Sequence, residues 1–212
     1  MKKLPLALLV AVATGCSTIS DRPASQDPTA VWQARQSQLI ALKSWRVQGR
    51  LSAHTPDDGW QASVRWVRDN DRHDIDLWGP LGRGHVRLVQ DRYGAVLRDA
   101  QDNTYWAEDG QQLLFDTTGW WLPLDGLNYW VLGVPMPQTP NEHDLDQWGR
   151  LTKLTQLGWD IEFLQYQRQG TYEFPRKLFI RRQLDSAHTV NQGTNNRTLE
   201  VRMVIERWTM TP

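Results

Sequence analysis

The chain has little of what most enzymes use for catalysis. Its single cysteine excludes an intrachain disulfide, and its five histidines are scattered without metal-ligand spacing. It has no G-x-S-x-G elbow and no G-x-x-x-x-G-K phosphate loop. Asp74 and Asp76 share one face of a predicted strand, an arrangement that acid–base chemistry can use but that is more often a solvated face. The sequence therefore predicts a protein that is not an enzyme and that binds no metal or cofactor.

An excess of charge of one sign is also missing. The 24 basic residues, less Lys2 and Lys3 of a predicted leader, leave 22 against 24 acidic ones, a net charge of −2. A nucleic-acid partner is therefore not expected.

The compositional excess is tryptophan, with 12 residues against four phenylalanines and five tyrosines. Because indole joins a broad apolar body to one N–H, the excess fits a wet cavity or membrane-edge surface as well as a tryptophan-rich core.

The N-terminus reads as an export signal. Two lysines precede a short apolar run, Leu4 to Val12, which is too short to span a bilayer. Small residues then lead to Gly15 and Cys16, and this junction resembles the lipobox of bacterial lipoproteins, with Ala13 where leucine is commonest. An ordinary secretory leader with an incidental cysteine is the alternative. We therefore predict that residues 1–15 are a signal peptide and that Cys16 carries the lipid.

The remaining chain divides into a short tether and one domain. Residues 16–28 are polar and contain proline, as in a flexible linker, and residues 29–212 are predicted to form a single domain. Asp27 and Pro28 predict the start of a helix that runs to Lys43. Alternating apolar and polar residues then predict about ten short antiparallel strands, interrupted by helices at 109–118 and 124–132.

These elements predict a mostly β, α+β fold. A long meander curls toward a barrel, and apolar helices without a second sheet to cover pack on its concave face. The expected architecture is an open, incomplete antiparallel β-barrel with an apolar pocket between the sheet and the helices.

Several motifs follow one another in an order that resembles the LolB family of outer-membrane lipoprotein receptors. The motifs are Trp-x-Val-x-Gly-Arg-Leu at 45–51, Trp-x-Ala-x-x-x-Trp at 60–66, Gly-Pro-Leu-Gly at 79–82, Trp-Val-Leu-Gly-Val-Pro at 130–135, and Gln-x-Gly-Trp at 156–159. The resemblance implies a LolA/LolB-like open barrel that accepts acylated lipoproteins from a periplasmic, LolA-like carrier and inserts them into the outer membrane. The lipobox resemblance adds a location: in bacterial lipoproteins the residue after the lipidated cysteine sets which membrane retains the protein, and Ser17 implies a lipid anchor on the periplasmic face of the outer membrane.

The resemblance also implies a site. Gly79, Pro80, Leu81 and Gly82 would form a membrane-contact loop with Leu81 exposed to lipid; the alternative is that Leu81 folds back into the core. Six tryptophans are candidates to line the acyl cavity, with plain core packing as the alternative for each: Trp45, Trp60, Trp66, Trp120, Trp121 and Trp130.

The expected partners are the carrier, acylated clients and outer-membrane lipid, and a monomer is expected. A structural or assembly lipoprotein that binds protein partners through its apolar surface is the alternative function.

Overall fold

A computed structural model describes residues 24–80, 84–119, 121–184 and 197–210 of the protein. Among the predicted site residues, Cys16, Leu81, Gly82 and Trp120 lie outside these ranges. The described residues form one eleven-stranded antiparallel sheet and three helices, in the sheet order β6-β5-β4-β3-β2-β1-β11-β10-β9-β8-β7. β6 and β7 are the two edges and do not pair with each other, so the barrel is open, as predicted.

The elements have the following bounds. The helices are α1 (Pro28–Ile40), α2 (Gly110–Thr118) and α3 (Leu124–Trp130). The strands of the first half are β1 (Ser44–His54), β2 (Gly59–Asp69), β3 (Arg72–Trp78), β4 (Val86–Asp91), β5 (Gly94–Arg98) and β6 (Thr104–Ala107). Those of the second half are β7 (Asn141–Leu145), β8 (Leu151–Gln156), β9 (Trp159–Gln169), β10 (Tyr172–Leu184) and β11 (Arg197–Met210).

Hairpin connections generate both halves of the sheet, and the β1–β11 ladder joins them. A β-bulge interrupts this ladder between Gln48 and Gly49. A Cβ on Gly49 would collide with the carbonyl oxygen of Val204, so glycine allows the two strands to approach closely there. The glycine of the first sequence motif therefore has a local structural reason.

Local sequence accounts for both ends of α2. The carboxylate of Asp109 accepts from the backbone N–H of Gln111 and Gln112 and caps the helix, and Gly119 ends it at φ 77°. α1 begins as predicted, with Pro28 in its first turn and the Asp27 carboxylate accepting from Ala30 N. It ends at Ile40 rather than Lys43, and it buries Trp32 and Leu39.

The helices α2 and α3 carry the chain across the concave face, from edge strand β6 to edge strand β7. The side chains on this face of the strands alternate with outward polar ones, so a single apolar core fills the space between the sheet and the helices. None of the three helices in the described ranges is long and apolar enough to cross a bilayer.

Candidate functional site

An apolar cavity lies between the concave face of the sheet and the helices α2 and α3. It holds about 20 Å³, which is room for about one water molecule. Among the described residues, its lining contains no charged side chain and consists of Leu51, Val64, Trp66, Ile75, Leu77, Val86, Leu88, Leu114, Leu122, Leu124, Leu127 and Met203. Water would find few hydrogen-bond partners in such a space, whereas hydrocarbon would lose nothing by entering it.

Side chains alternate between the inner and outer faces of the strands, and the inward ones form the sheet side of this cavity. Leu51 of β1 lies between Met203 of β11 and Ala62 of β2, and the inward positions continue across β3 and β4. The opposite wall consists of leucines from α2, α3 and the segment between them. The wall reaches Leu77 and Val86, which are the last ladder pair before the β3–β4 connection. The cavity therefore borders the base of the predicted membrane-contact loop.

The indole of Trp66 is fixed in this wall by a histidine. Trp66 Nε1 donates to His73 Nδ1 at 3.1 Å, so the indole N–H is satisfied beside the apolar surface. Burial, with a further contribution from the nearby Arg68 guanidinium, lowers the pKa of His73 to about 4. His73 is therefore neutral near pH 7, as an acceptor at Nδ1 requires. Its position on the apolar face of β3 was the available sequence signal for this role.

The other predicted lining tryptophans that the structure describes are absent from the cavity wall. Trp45 is fully buried against Trp66 and Trp208, with ring centroids 5.3 and 5.5 Å apart. Trp60 is half-buried on β2, and Trp121 packs edge-on against Phe115 at 5.6 Å. Mainly aliphatic side chains line the narrow cavity instead. A tryptophan lining for an enlarged cavity stays a prediction.

Trp130 is an anchor for the helices. Its Nε1 donates to Gln156 Oε1 at 3.0 Å, and Gln156 is only 2% exposed. The same amide accepts from Met136 N at 2.8 Å and donates to Met136 O and Thr139 O at 3.0 and 3.3 Å. The sequence singled out Gln156 only as part of the Gln-x-Gly-Trp motif at 156–159 and did not reveal this role, because a glutamine in a strand pattern gives no signal of four hydrogen bonds. The end of α3 and the segment after it are thus tied to β8.

A second polar contact joins α3 to the other side of the sheet. Arg68 Nη1 donates to Asn128 Oδ1 at 3.2 Å, and Arg68 Nε donates to Asn70 O at 3.0 Å. Arg68 is 8% exposed, and desolvation lowers the pKa of its guanidinium. In contrast, the first turn of α3 has no side-chain cap, because Pro123 occupies the cap position. The start of α3 is therefore held by apolar packing and its centre by the contact with Arg68.

The outer face beneath the β3–β4 connection carries a network of ion pairs. The carboxylate of Asp76 accepts from Arg65 Nε and Nη2 at 3.0 and 2.5 Å and lies 2.8 Å from His85 Nε2. Burial acts to raise the pKa of Asp76, but the hydrogen bonds from Arg65 and His85 outweigh burial and lower it. Asp74 pairs with Arg87 at 3.0 and 2.6 Å. Both carboxylates are therefore engaged in ion pairs rather than forming an acid–base pair.

The described residues contain no group of three or more His, Cys, Asp or Glu side chains that could hold a metal ion. The predicted loop is described at Gly79, which is half-buried, and at Pro80, which is exposed.

Comparison with known proteins gives a consistent result. The family model described as "Outer membrane lipoprotein LolB" matches residues 43–208. Two proteins named outer-membrane lipoprotein LolB, from Pseudomonas syringae and Nitrosococcus oceani, are 34% and 32% identical to the chain. Their alignments cover 94% and 92% of this chain and 92% and 90% of the relatives.

Among solved structures, a DUF1329 family protein from Desulfovibrio piger aligns over 87% of this chain and 92% of its own, with a TM-score of 0.47 and 8% identity. The family model spans the sheet from the start of β1 almost to the end of β11, together with α2 and α3, which enclose the cavity. The chain thus belongs to the LolB family of outer-membrane lipoproteins.

Proposed function

We propose that this protein is an outer-membrane lipoprotein receptor, which accepts acylated lipoproteins from a periplasmic carrier and inserts them into the outer membrane. The observation that carries the proposal is a cavity without charged side chains whose wall continues into the base of the β3–β4 loop. Membership of the LolB family supports the same role. A binding function without catalysis also agrees with the ion pairing of Asp74 and Asp76.

The cargo explains why such a protein needs an apolar cavity. Three acyl chains hold roughly 40 methylenes, and at about 0.8 kcal/mol each their exposure to water would cost on the order of 30 kcal/mol. Transfer that is not driven by a nucleotide must therefore pass from one sheltered apolar site to the next. Each site must bind the chains well enough to accept them and weakly enough to release them.

The closed cavity must enlarge before it can hold acyl chains. Its volume of about 20 Å³ is more than an order of magnitude too small for three chains. The anchor at Trp130 and Gln156 holds one end of α3, while apolar side chains hold the other end: Leu122 in the segment before the helix and Leu124 at its first position. We propose that incoming acyl chains displace this segment and the start of α3, with the Trp130 end as the pivot, and take the place of the leucines.

The site of discharge would be set by two contacts with the membrane. A lipid on Cys16 would keep the domain within the length of its tether, residues 16–28, from the outer membrane. The loop at Gly79–Gly82 would contact the leaflet with Leu81, next to the cavity rim at Leu77 and Val86. The acyl chains would then leave along a short apolar path.

Binding of an acylated peptide tests the proposal. A Cys16→Ala form of the chain should bind a triacylated peptide and change its tryptophan emission, because Trp66 lies in the cavity wall. The same peptide without acyl chains should leave the emission unchanged. Equal binding of both peptides would contradict the receptor function.

Equal binding would instead favour the alternative, a structural or assembly lipoprotein that recognises protein surfaces. The exposed aromatic side chains of Tyr93 and Trp106 near the β6 edge are the observation that favours this alternative.

A further inference from the structure

The two ends of the β3–β4 loop are joined to each other on the outer face of the sheet. Leu77 and Val86 form the last ladder pair before the loop. Trp78 directly follows Leu77 in the chain, and His85 directly precedes Val86. Their rings stack with centroids 5.2 Å apart and an interplanar angle of 7°. Leu77 and Val86 point into the cavity, so the same two chain segments carry the cavity wall inside and the ring stack outside. Six residues separate Trp78 from His85.

The imidazole of this stack contacts a buried carboxylate. His85 Nε2 lies 2.8 Å from Asp76 Oδ1, and Asp76 is only 3% exposed. Arg65 of β2 holds the other oxygen of this carboxylate. Asp76 is therefore fixed to the sheet, and through His85 it fixes the returning end of the loop. Trp78 stacks on the face of the same imidazole.

The sheet itself gives the start of the loop little support. A groove of about 460 Å³ lies on the outer face, with Trp78, Gly79 and Pro80 on one side and outward side chains of β1, β2 and β11, including Arg50 and Arg202, on the other. Because this space is open, packing against the sheet does not fix Gly79 and Pro80 in place. The contacts that do hold the described ends of the loop are those of Trp78 and His85.

We propose that Trp78 and His85 are positioning residues for lipoprotein release. With Asp76 they form a clasp that fixes the direction of the β3–β4 loop at the rim of the cavity, so that its tip meets the membrane where the acyl chains emerge. The clasp rests on the proposed function of the loop in membrane contact. Opening the clasp leaves the cavity and its loading intact but lets the loop sample many directions, which slows release.

Release and loading are measured separately on the full lipidated chain. The chain is placed in vesicles of phosphatidylethanolamine and phosphatidylglycerol, and a fluorescent triacylated peptide is supplied as cargo. Loading is followed by energy transfer from tryptophan to the peptide, and release by energy transfer from the peptide to a lipid dye. The variants are Trp78→Leu, His85→Ala, their combination, and Trp78→Phe, which keeps an aromatic ring. Trp106→Leu, at an exposed tryptophan far from the clasp in sequence, is the matched control.

We expect Trp78→Leu and His85→Ala each to slow release about three- to tenfold, the range given by loss of one stacked aromatic pair, with loading unchanged. The double variant should release no more slowly than the slower single variant, because both changes open the same clasp. Trp78→Phe should restore release, and Trp106→Leu should behave as the unchanged protein. Normal release by Trp78→Leu, or additive losses in the double variant, would overturn the clasp.

The Leu81→Glu variant distinguishes failure of the clasp from failure of the proposed membrane-contact loop. If Leu81→Glu blocks release while the clasp variants release normally, the loop keeps its role and the clasp alone is overturned. If Leu81→Glu releases normally, the loop does not act on the membrane, and the proposed discharge route and the clasp both fail.

Discussion

The contact between Arg68 and Asn128 allows a prediction in which stability and activity change in opposite directions. Asn128→Ala removes the hydrogen bond of 3.2 Å that joins the sheet to the centre of α3. A hydrogen bond to a charged group contributes about 1.5–3 kcal/mol, and the long distance favours the lower end. We therefore expect the free energy of unfolding to fall by about 1.5 kcal/mol. If the bond is absent when α3 is displaced, the same loss raises the displaced population about tenfold.

If acyl chains enter only when α3 is displaced, as proposed above, loading should also become about tenfold faster. Stopped-flow tryptophan fluorescence with a triacylated peptide measures the loading rate, and amide exchange over residues 124–130 measures helix displacement. Asn103→Ala is the control, since it removes an exposed amide that donates to Asp99 at 3.0 Å in the β5–β6 turn. Faster exchange in α3 without faster loading would refute the reasoning, because displacement of the helix would then not be the entry step.

Three further predictions follow from the loop, the anchor and the buried histidine. Leu81→Glu should leave peptide loading intact and block transfer into vesicles, as measured by energy transfer to a lipid dye. Gln156→Leu should lower the free energy of unfolding in urea by about 3 kcal/mol, because it leaves Trp130 Nε1 and both backbone polar groups of Met136 without their partner. His73 has a folded-state pKa of about 4, below the usual 6.5, so the unfolded chain binds its proton first. Stability should therefore fall by up to about 3 kcal/mol as pH drops from about 6.5 to 4, and His73→Gln should remove that part of the pH dependence in urea titrations.

Local patterns predicted most of the elements because each carries its own signal. Asp27 with Pro28 set the start of α1, and Asp109 with Gly119 set the ends of α2, as capping chemistry requires. Alternation of apolar and polar residues was the signal for strands such as β1 and β2. The part of the chain that the structure describes nevertheless has eleven strands rather than about ten. The prediction missed β7, whose sequence Asn-Glu-His-Asp-Leu is largely exposed at an edge and has no apolar face to reveal it.

The local sequence does not reveal where β10 starts. Proline cannot donate to a ladder, so Pro175 argues against a strand that continues through it. The structure begins β10 at Tyr172 and accommodates Pro175 beside a register shift between β9 and β10. A bulge of this kind depends on the partner strand, which the local sequence does not contain.

The candidate site was only partly accessible from the sequence. The resemblance to the family drew attention to the Gly79–Gly82 loop and to the tryptophans, but only Trp66 of the described candidates lines the closed cavity. The sequence did not reveal the roles of Gln156, His73 and Arg68, because these roles depend on partners 26, 7 and 60 positions away in the chain. Single polar residues in strands do not reveal such partners.

The sequence alone determined the alternation of inward and outward side chains, the helix caps and the family. Alternation and caps depend only on neighbouring residues, and the family is identified by a series of motifs. Only the tertiary structure decided that β6 and β7 are the two unpaired edges, that the cavity is nearly closed at about 20 Å³, and that Trp78 meets His85. These features depend on how far eleven strands curl and how closely α2 and α3 settle on them. Curvature and packing are sums over many distant contacts, so no local segment encodes them.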